Sequence, residues 1–171
     1  MSNLISDAYR EQLRQLHTEK QDFGTSAAMY GATVKGLVAK YSPRQFVDYG
    51  AGKQAIRPFV HVPYIPYDPA IPEIANLPPE ADMVMTADVL EHLEFDCLDA
   101  VMDDLQRVTR KIGFHVVHTG EALHHLPDGR NAHIIQKPPE WWMPKFIERF
   151  DIIRFERQPV GFFILVSKKG L

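Results

Sequence analysis

The residues best able to do chemistry begin with Phe46-Val47-Asp48-Tyr49-Gly50-Ala51-Gly52-Lys53, where an apolar run, an acid and a G-x-G turn follow in order. Glycines without a Cβ let backbone amides approach a ligand closely. Twenty positions after Asp48 stands Asp68, closing the next apolar segment, where a carboxylate can accept hydrogen bonds from ribose hydroxyls. Neighbouring strands would then address two ends of a nucleoside-like ligand. A nicotinamide dinucleotide needs G-x-G-x-x-G/A, which Gly50, Gly52 and Ala55 satisfy, so the turn alone leaves that ligand open.

Five histidines between His115 and His133 raise a metal reading, since neutral imidazoles are good ligands. Their spacing argues against it, and no metal site is expected. His115 and His118 lie three apart on a strand and point to opposite faces, while His124 and His125 are adjacent in a loop. His118 ends its strand, where open parallel sheets place a ligand crevice. With His133 it is a first candidate for a general base, and His92 is the third. In LPDGRNAH, Asp128-Gly129 reads as a turn, and Asp128, Arg130, Asn131 and His133 read equally as an acceptor-binding loop. Trp142 falls at helical spacing from Phe146 and Phe150, which places the Trp141-Trp142 pair toward the core. Cys97 is the single cysteine, which excludes an internal disulfide and fits a reducing compartment.

These groups need a frame. Residues 6–41 read as two helices, the second beginning near Thr25 and Ser26. Strands are predicted over 45–50, 64–68, 81–87 and 114–118, with a helix over 97–110 that stops at Gly113. Seven of the thirteen prolines fall between Pro58 and Pro79 and exclude a long helix there. Residues 120–139 form an irregular polar loop, and a helix over 140–150 must start late or bend at Pro144. Strands over 151–156 and 161–167 close the chain as a hairpin. The sum is an α/β layered fold with a mostly parallel sheet and an antiparallel last strand. At 171 residues, with 45% hydrophobic and 24% charged residues, the chain reads as one soluble domain. A net charge of -3 is too balanced to call for duplex nucleic acid or an anionic membrane. Charges in MSNLISDAYREQLRQ and the absence of any span-length apolar run make the cytoplasm the expected location.

With the acid and G-x-G turn, Asp68 and the segment ADMVMTADVLEHL (81–93), the sequence resembles the class I S-adenosylmethionine-dependent methyltransferases. That segment looks like the family's fourth strand, opened by Asp82 and leading into Val-Leu-Glu-His at the cofactor cleft. The resemblance covers 44–171 as a Rossmann-like methyltransferase domain and leaves 1–43 as a helical N-terminal cap. It implies S-adenosylmethionine as cofactor, with Asp48, Gly50, Ala51 and Gly52 around its methionine part and Asp68, Pro69 and Ala70 at the ribose. Glu73, with Asn76 as alternative, would meet the adenine, Thr86, Ala87, Asp88 and Val89 would line the floor near the sulfonium, and Tyr30 would cover it. Two departures stand out. Gln54 occupies the place of the third glycine, and 69–80 is too short for the usual helix and third strand, which are expected to be reduced or absent. Ala87-Asp88-Val89-Leu90 is not the Asn/Asp-Pro-Pro-aromatic tetrapeptide of base-amine methylation, and no proline precedes Cys97, which together argue against a nucleic-acid acceptor. The implied activity is methyl transfer to oxygen or nitrogen of a small-molecule or glycan-like acceptor. A non-catalytic S-adenosylmethionine-binding module and an NAD-dependent enzyme are the alternatives, and oligomeric state is left open.

Overall fold

In the computed structural model, which describes residues 4–170, there are six strands: β1 (Phe46–Tyr49), β2 (Tyr64–Tyr67), β3 (Ala81–Ala87), β4 (Thr109–His118), β5 (Phe150–Gln158) and β6 (Gly161–Lys168). They form one sheet in the order β2-β1-β3-β4-β6-β5. The β1–β2, β1–β3 and β3–β4 pairs are parallel, and β6 runs antiparallel to both β4 and β5. Between Tyr67 and Ala81 the chain makes only a short 3-10 turn, Pro72–Ile74, so the expected loss of the helix and strand there is realised and β2 is left at the sheet edge.

Alternate residues feed two cores. Val47, Val84 and Val117 face helices α3 (Leu98–Val108) and α4 (Pro139–Arg149), packing with Leu105, Trp142 and Phe146. Phe46, Met83, Met85 and Phe114 face the other way, toward Val34 of helix α2 (Gly31–Tyr41) and Ile56. All seven residues of β3 are buried, as a central strand covered on both faces requires. Among the described residues no helix is long and apolar enough to cross a membrane.

Several local expectations are corrected. The second helix of the preface starts as an α-helix at Gly31, after a 3-10 stretch Ser26–Tyr30, because the Thr25 hydroxyl donates back to Asp22 O and gives no cap. Helix α3 spans Leu98–Val108 rather than 97–110: Thr109 turns extended, and its hydroxyl and amide both donate to Leu105 O. Gly113 instead lies inside β4, where a Cβ would sit 2.5 Å from His115 Nε2. Helix α4 starts at Pro139, a favourable first position, and runs through Pro144 because Trp142 and Phe146 are fully buried against the sheet. No α-helix follows the G-x-G turn, so Gln54, at φ +56°, meets no helix to crowd.

The first helix, α1 (Asp7–Glu19), lies outside the sheet layers and reaches over the carboxyl ends of the strands. Ser6 caps it through the Tyr9 amide and binds Glu94 through both its amide and hydroxyl, while Ile5, Tyr9 and Leu16 pack on Leu126 and Ala132.

Candidate active site

β1 lies between β2 and β3, so the chain reverses direction across the sheet there and leaves a crevice at the strands' carboxyl ends. The glycine turn enters it tied to the tip of β2: the amides of Gly50 and Ala51 both donate to Tyr67 O, at 2.7 and 2.9 Å. Gly50 has φ +80° and Gly52 +48°. The space their missing Cβ atoms leave is taken up by the protein itself, by Val89 beside Gly50 and by the Gly24 backbone beside Gly52. Asp68 closes the arrangement. Its Oδ2 accepts from the Gly52 amide and its Oδ1 from the Ala70 amide, both at 3.0 Å.

The cavity over this turn has a volume of about 500 Å³, within the range of small-molecule sites. Gly50, Ala51, Gly52, Asp68, Pro69, Ala87, Asp88 and Val89 line it together with His92, His118 and His133. Asp88 holds a left-handed conformation, φ +53°, as its amide bonds Val116 O across to β4. A non-glycine residue held so is an uncommon feature that concentrates at functional positions.

Six expected residues are not in the lining: Tyr30, Asp48, Ala70, which is buried, Glu73 with its alternative Asn76, and Thr86. Tyr30 packs edge-on against Phe114, rings 6.4 Å apart, on the α2 face of the sheet. Glu73 is exposed on the 3-10 turn, as is Asn76 beyond it. Thr86 is fully buried and pairs with His115 Nδ1 at 3.0 Å, while burial pushes that imidazole down to about 3 and keeps it neutral. Asp48 sits behind the turn, 2% exposed, and accepts from the Tyr64 hydroxyl at 2.5 Å.

Burial raises Asp48 to about 7, the Tyr64 bond opposes the shift, and the nearby charge of Asp68 adds to it. The folded protein therefore holds a proton that the unfolded chain releases near pH 4. The contribution is complete below that pH and is lost as the pH rises through 7. Glu91, fully buried and likewise raised, acts in the same direction. Asp48→Asn keeps an acceptor for Tyr64 without the titration. Its melting temperature should fall less than that of the parent between pH 5 and 8, measured by scanning calorimetry; parallel curves would assign the proton elsewhere.

The histidines form a row. His118 and His133 have ring centroids 4.8 Å apart, and His133 and His92 4.6 Å apart. His92 Nδ1 pairs with Ala132 O and His133 Nδ1 with Gly120 O, each at 2.7 Å, while His118 Nδ1 pairs with the Gly120 amide at 3.1 Å. Glu91 fixes the base of the row by accepting from the His118 amide at 2.7 Å. Burial, with His133 adding, pushes His92 down to about 3. In the LPDGRNAH segment, Asp128 and Arg130 pair with each other on the surface, whereas Asn131 accepts from the amides of Ala122 and His133 and so shapes the cavity wall. Among the described residues no group of three His, Cys, Asp or Glu is arranged to hold a metal ion.

The N-terminal segment supplies lining that sequence reasoning missed: Tyr9, Leu13, His17, Phe23 and Gly24. Tyr9 and Leu13 carry an apolar stripe whose buried partner cannot be read from periodicity, and His17 follows Leu13 at i+4 on the same helix face. His17 Nε2 lies 3.8 Å from Asp68 Oδ2, and its Nδ1 is buried without a partner. Phe23 meets the rings of His17, His92 and His124 edge-on. No lysine or arginine lines the cavity among the described residues, whereas Asp22, Asp68, Asp88, Glu94 and Glu121 do.

No family model and no curated protein sequence matches the chain. Solved structures do. The DhpI–SAH complex superposes with a TM-score of 0.64 at 14% identity, over 95% of this chain and 98% of that one. The 1,6-didemethyltoxoflavin-N1-methyltransferase of Burkholderia thailandensis gives 0.65 at 14%, over 94% and 88%. An rRNA methylase from Escherichia coli gives 0.57 at 12%, over 95% and 75%. Sheet order, reversed terminal hairpin and these superpositions together establish that the chain has the fold of the class I S-adenosylmethionine-dependent methyltransferases.

Proposed function

We propose that this protein is an S-adenosylmethionine-dependent methyltransferase acting on oxygen or nitrogen of a small-molecule acceptor. The observation that carries the reading is one cavity lined together by the glycine turn, Asp68, Asp88 and the row of histidines His92, His118 and His133. When bound, S-adenosylmethionine supplies a methyl group made electrophilic by its sulfonium, leaving S-adenosylhomocysteine. The chain's residues suit that group: Asp68 for the ribose hydroxyls, the Gly50–Gly52 backbone beside the methionine part, and carboxylates with no fixed cation around a positive centre. The structural neighbours crystallised with S-adenosylhomocysteine, DhpI and the toxoflavin enzyme, support the same cofactor.

The neighbours' named acceptors differ, from 1,6-didemethyltoxoflavin to rRNA, so the cavity's chemistry has to choose. A nucleic-acid backbone is held by lysine and arginine, and neither lines the cavity among the described residues. Leu4, Ile5, Leu13, Phe23 and Leu93 make the wall apolar, which favours a small molecule over a glycan. Calorimetry tests the assignment directly. S-adenosylmethionine and S-adenosylhomocysteine should both bind and NAD should give no heat; NAD binding alone would reverse the reading. Methyl incorporation from labelled cofactor into a small-molecule panel then separates an enzyme from a binding module.

A further inference from the structure

Two of the histidines that line the cavity, His118 and His133, are wired in opposite senses by one residue. Gly120 donates its amide hydrogen to His118 Nδ1 at 3.1 Å and offers its carbonyl oxygen to His133 Nδ1 at 2.7 Å. An amide hydrogen needs a lone pair opposite it, so His118 Nδ1 is unprotonated and the neutral ring carries its proton on Nε2. A carbonyl oxygen can only accept, so His133 carries its proton on Nδ1 and has its lone pair on Nε2. Each ring lines the cavity with its Nδ1 already engaged, which leaves the Nε2 atoms for a ligand: His118 as donor, His133 as acceptor.

From this opposition, and resting on the methyltransferase reading, we propose that the accepting atom is a hydroxyl oxygen held between His118 and His133, with His133 as the base. A hydroxyl has one hydrogen and two lone pairs. It donates the hydrogen to His133 Nε2, accepts the His118 Nε2–H with one lone pair, and keeps the other to attack carbon. As the O–C bond forms and the S–C bond breaks, the sulfur retains the electron pair of the broken bond and the hydroxyl proton passes to His133 Nε2. An amine has a single lone pair, and accepting from His118 would occupy the pair that must attack.

The same wiring decides which ring takes the proton. Protonating His133 leaves its Nδ1–H···O bond to Gly120 in place and strengthens it by charge. Protonating His118 would set an Nδ1–H against the Gly120 amide and break the only hydrogen bond its Nδ1 makes. His92, whose Nδ1 also faces a carbonyl, shares the tautomer of His133 and stands beside it as a neutral neighbour.

Long-range 1H–15N correlation spectra of the full chain, assigned with His118→Gln and His133→Gln, read the tautomers without any turnover. The expected pattern is Nε2–H for His118 and Nδ1–H for His133; matching tautomers, or the reverse, would overturn the proposal. Phenol and aniline, similar in size and differing in the group presented, are then titrated into protein saturated with S-adenosylhomocysteine. Phenol should shift both Nε2 resonances and bind about tenfold tighter than aniline, the value of one additional hydrogen bond. Equal affinities, or shifts at neither ring, would remove the hydroxyl assignment. Failure of S-adenosylhomocysteine to bind while the tautomers stand as described would instead remove the methyltransferase reading.

Discussion

Asp68→Ala is expected to weaken S-adenosylmethionine binding about a hundredfold or more. A carboxylate accepting from ribose hydroxyls makes charge-assisted bonds contributing about 1.5–3 kcal/mol each, and two of them account for that factor. The substitution also withdraws the acceptor shared by the Gly52 and Ala70 amides, so it loosens the glycine turn as well as removing the ligand's partner. Asp68→Asn separates these contributions: it keeps the side chain's shape and one oxygen but sets an NH2 against one of the two amides. Isothermal titration should rank affinity as parent, then Asn, then Ala, while thermal melts should show Ala only a few degrees lower. Undiminished affinity in Asp68→Ala would end the ribose assignment.

What the sequence reveals about this site depends on how local each signal is. Asp48, Gly50, Gly52 and Asp68 are readable as a turn and a strand tip because the chemistry of a tight turn is written in the residues that make it. The strand 81–87 is readable as a short apolar run buried on both faces, and the helix over 97–110 because Leu98, Val101, Met102, Leu105 and Val108 are buried at helical spacing. The misses share a different cause. Nothing local to residues 9–24 says that Tyr9, His17 and Phe23 face a cavity whose other walls are 68–69, 88–92 and 118–133. Those contacts arise when α1 folds back over the strand ends. Tyr30, an expected lid residue, packs instead on the α2 face, where its ring meets Phe114 edge-on. Thr86 Oγ1 and His115 Nδ1 pair off inside the core across β3 and β4, while His115 Nε2 stays buried without a partner.

That return of the N-terminal segment makes Gly52→Ala the second large effect. A Cβ on Gly52 would stand 2.8 Å from Gly24 O and 2.9 Å from Gly24 Cα, both backbone atoms that cannot rotate away, and its φ of +48° is unfavourable for alanine. The left-handed conformation and the overlap together cost about 2–4 kcal/mol. For a chain of this size that lowers the melting temperature by about 5–12 °C. Function should suffer separately, because the same contact docks residues 20–24 on the turn: Lys53 donates its amide to Gly24 O and its ammonium to the carbonyls of Lys20 and Gln21. Pushing Gly24 away would draw Phe23 and His17 off the cavity, so S-adenosylhomocysteine affinity should fall and hydrogen exchange in α1 should speed up. Gly36→Ala supplies the internal control. Gly36 lies in α2 with open space where a Cβ would stand, so alanine there should stabilise by about 1 kcal/mol and leave affinity unchanged. If Gly52→Ala melts and binds as Gly36→Ala does, the N-terminal segment is not held by the glycine turn, and the walls contributed by His17 and Phe23 lose their support.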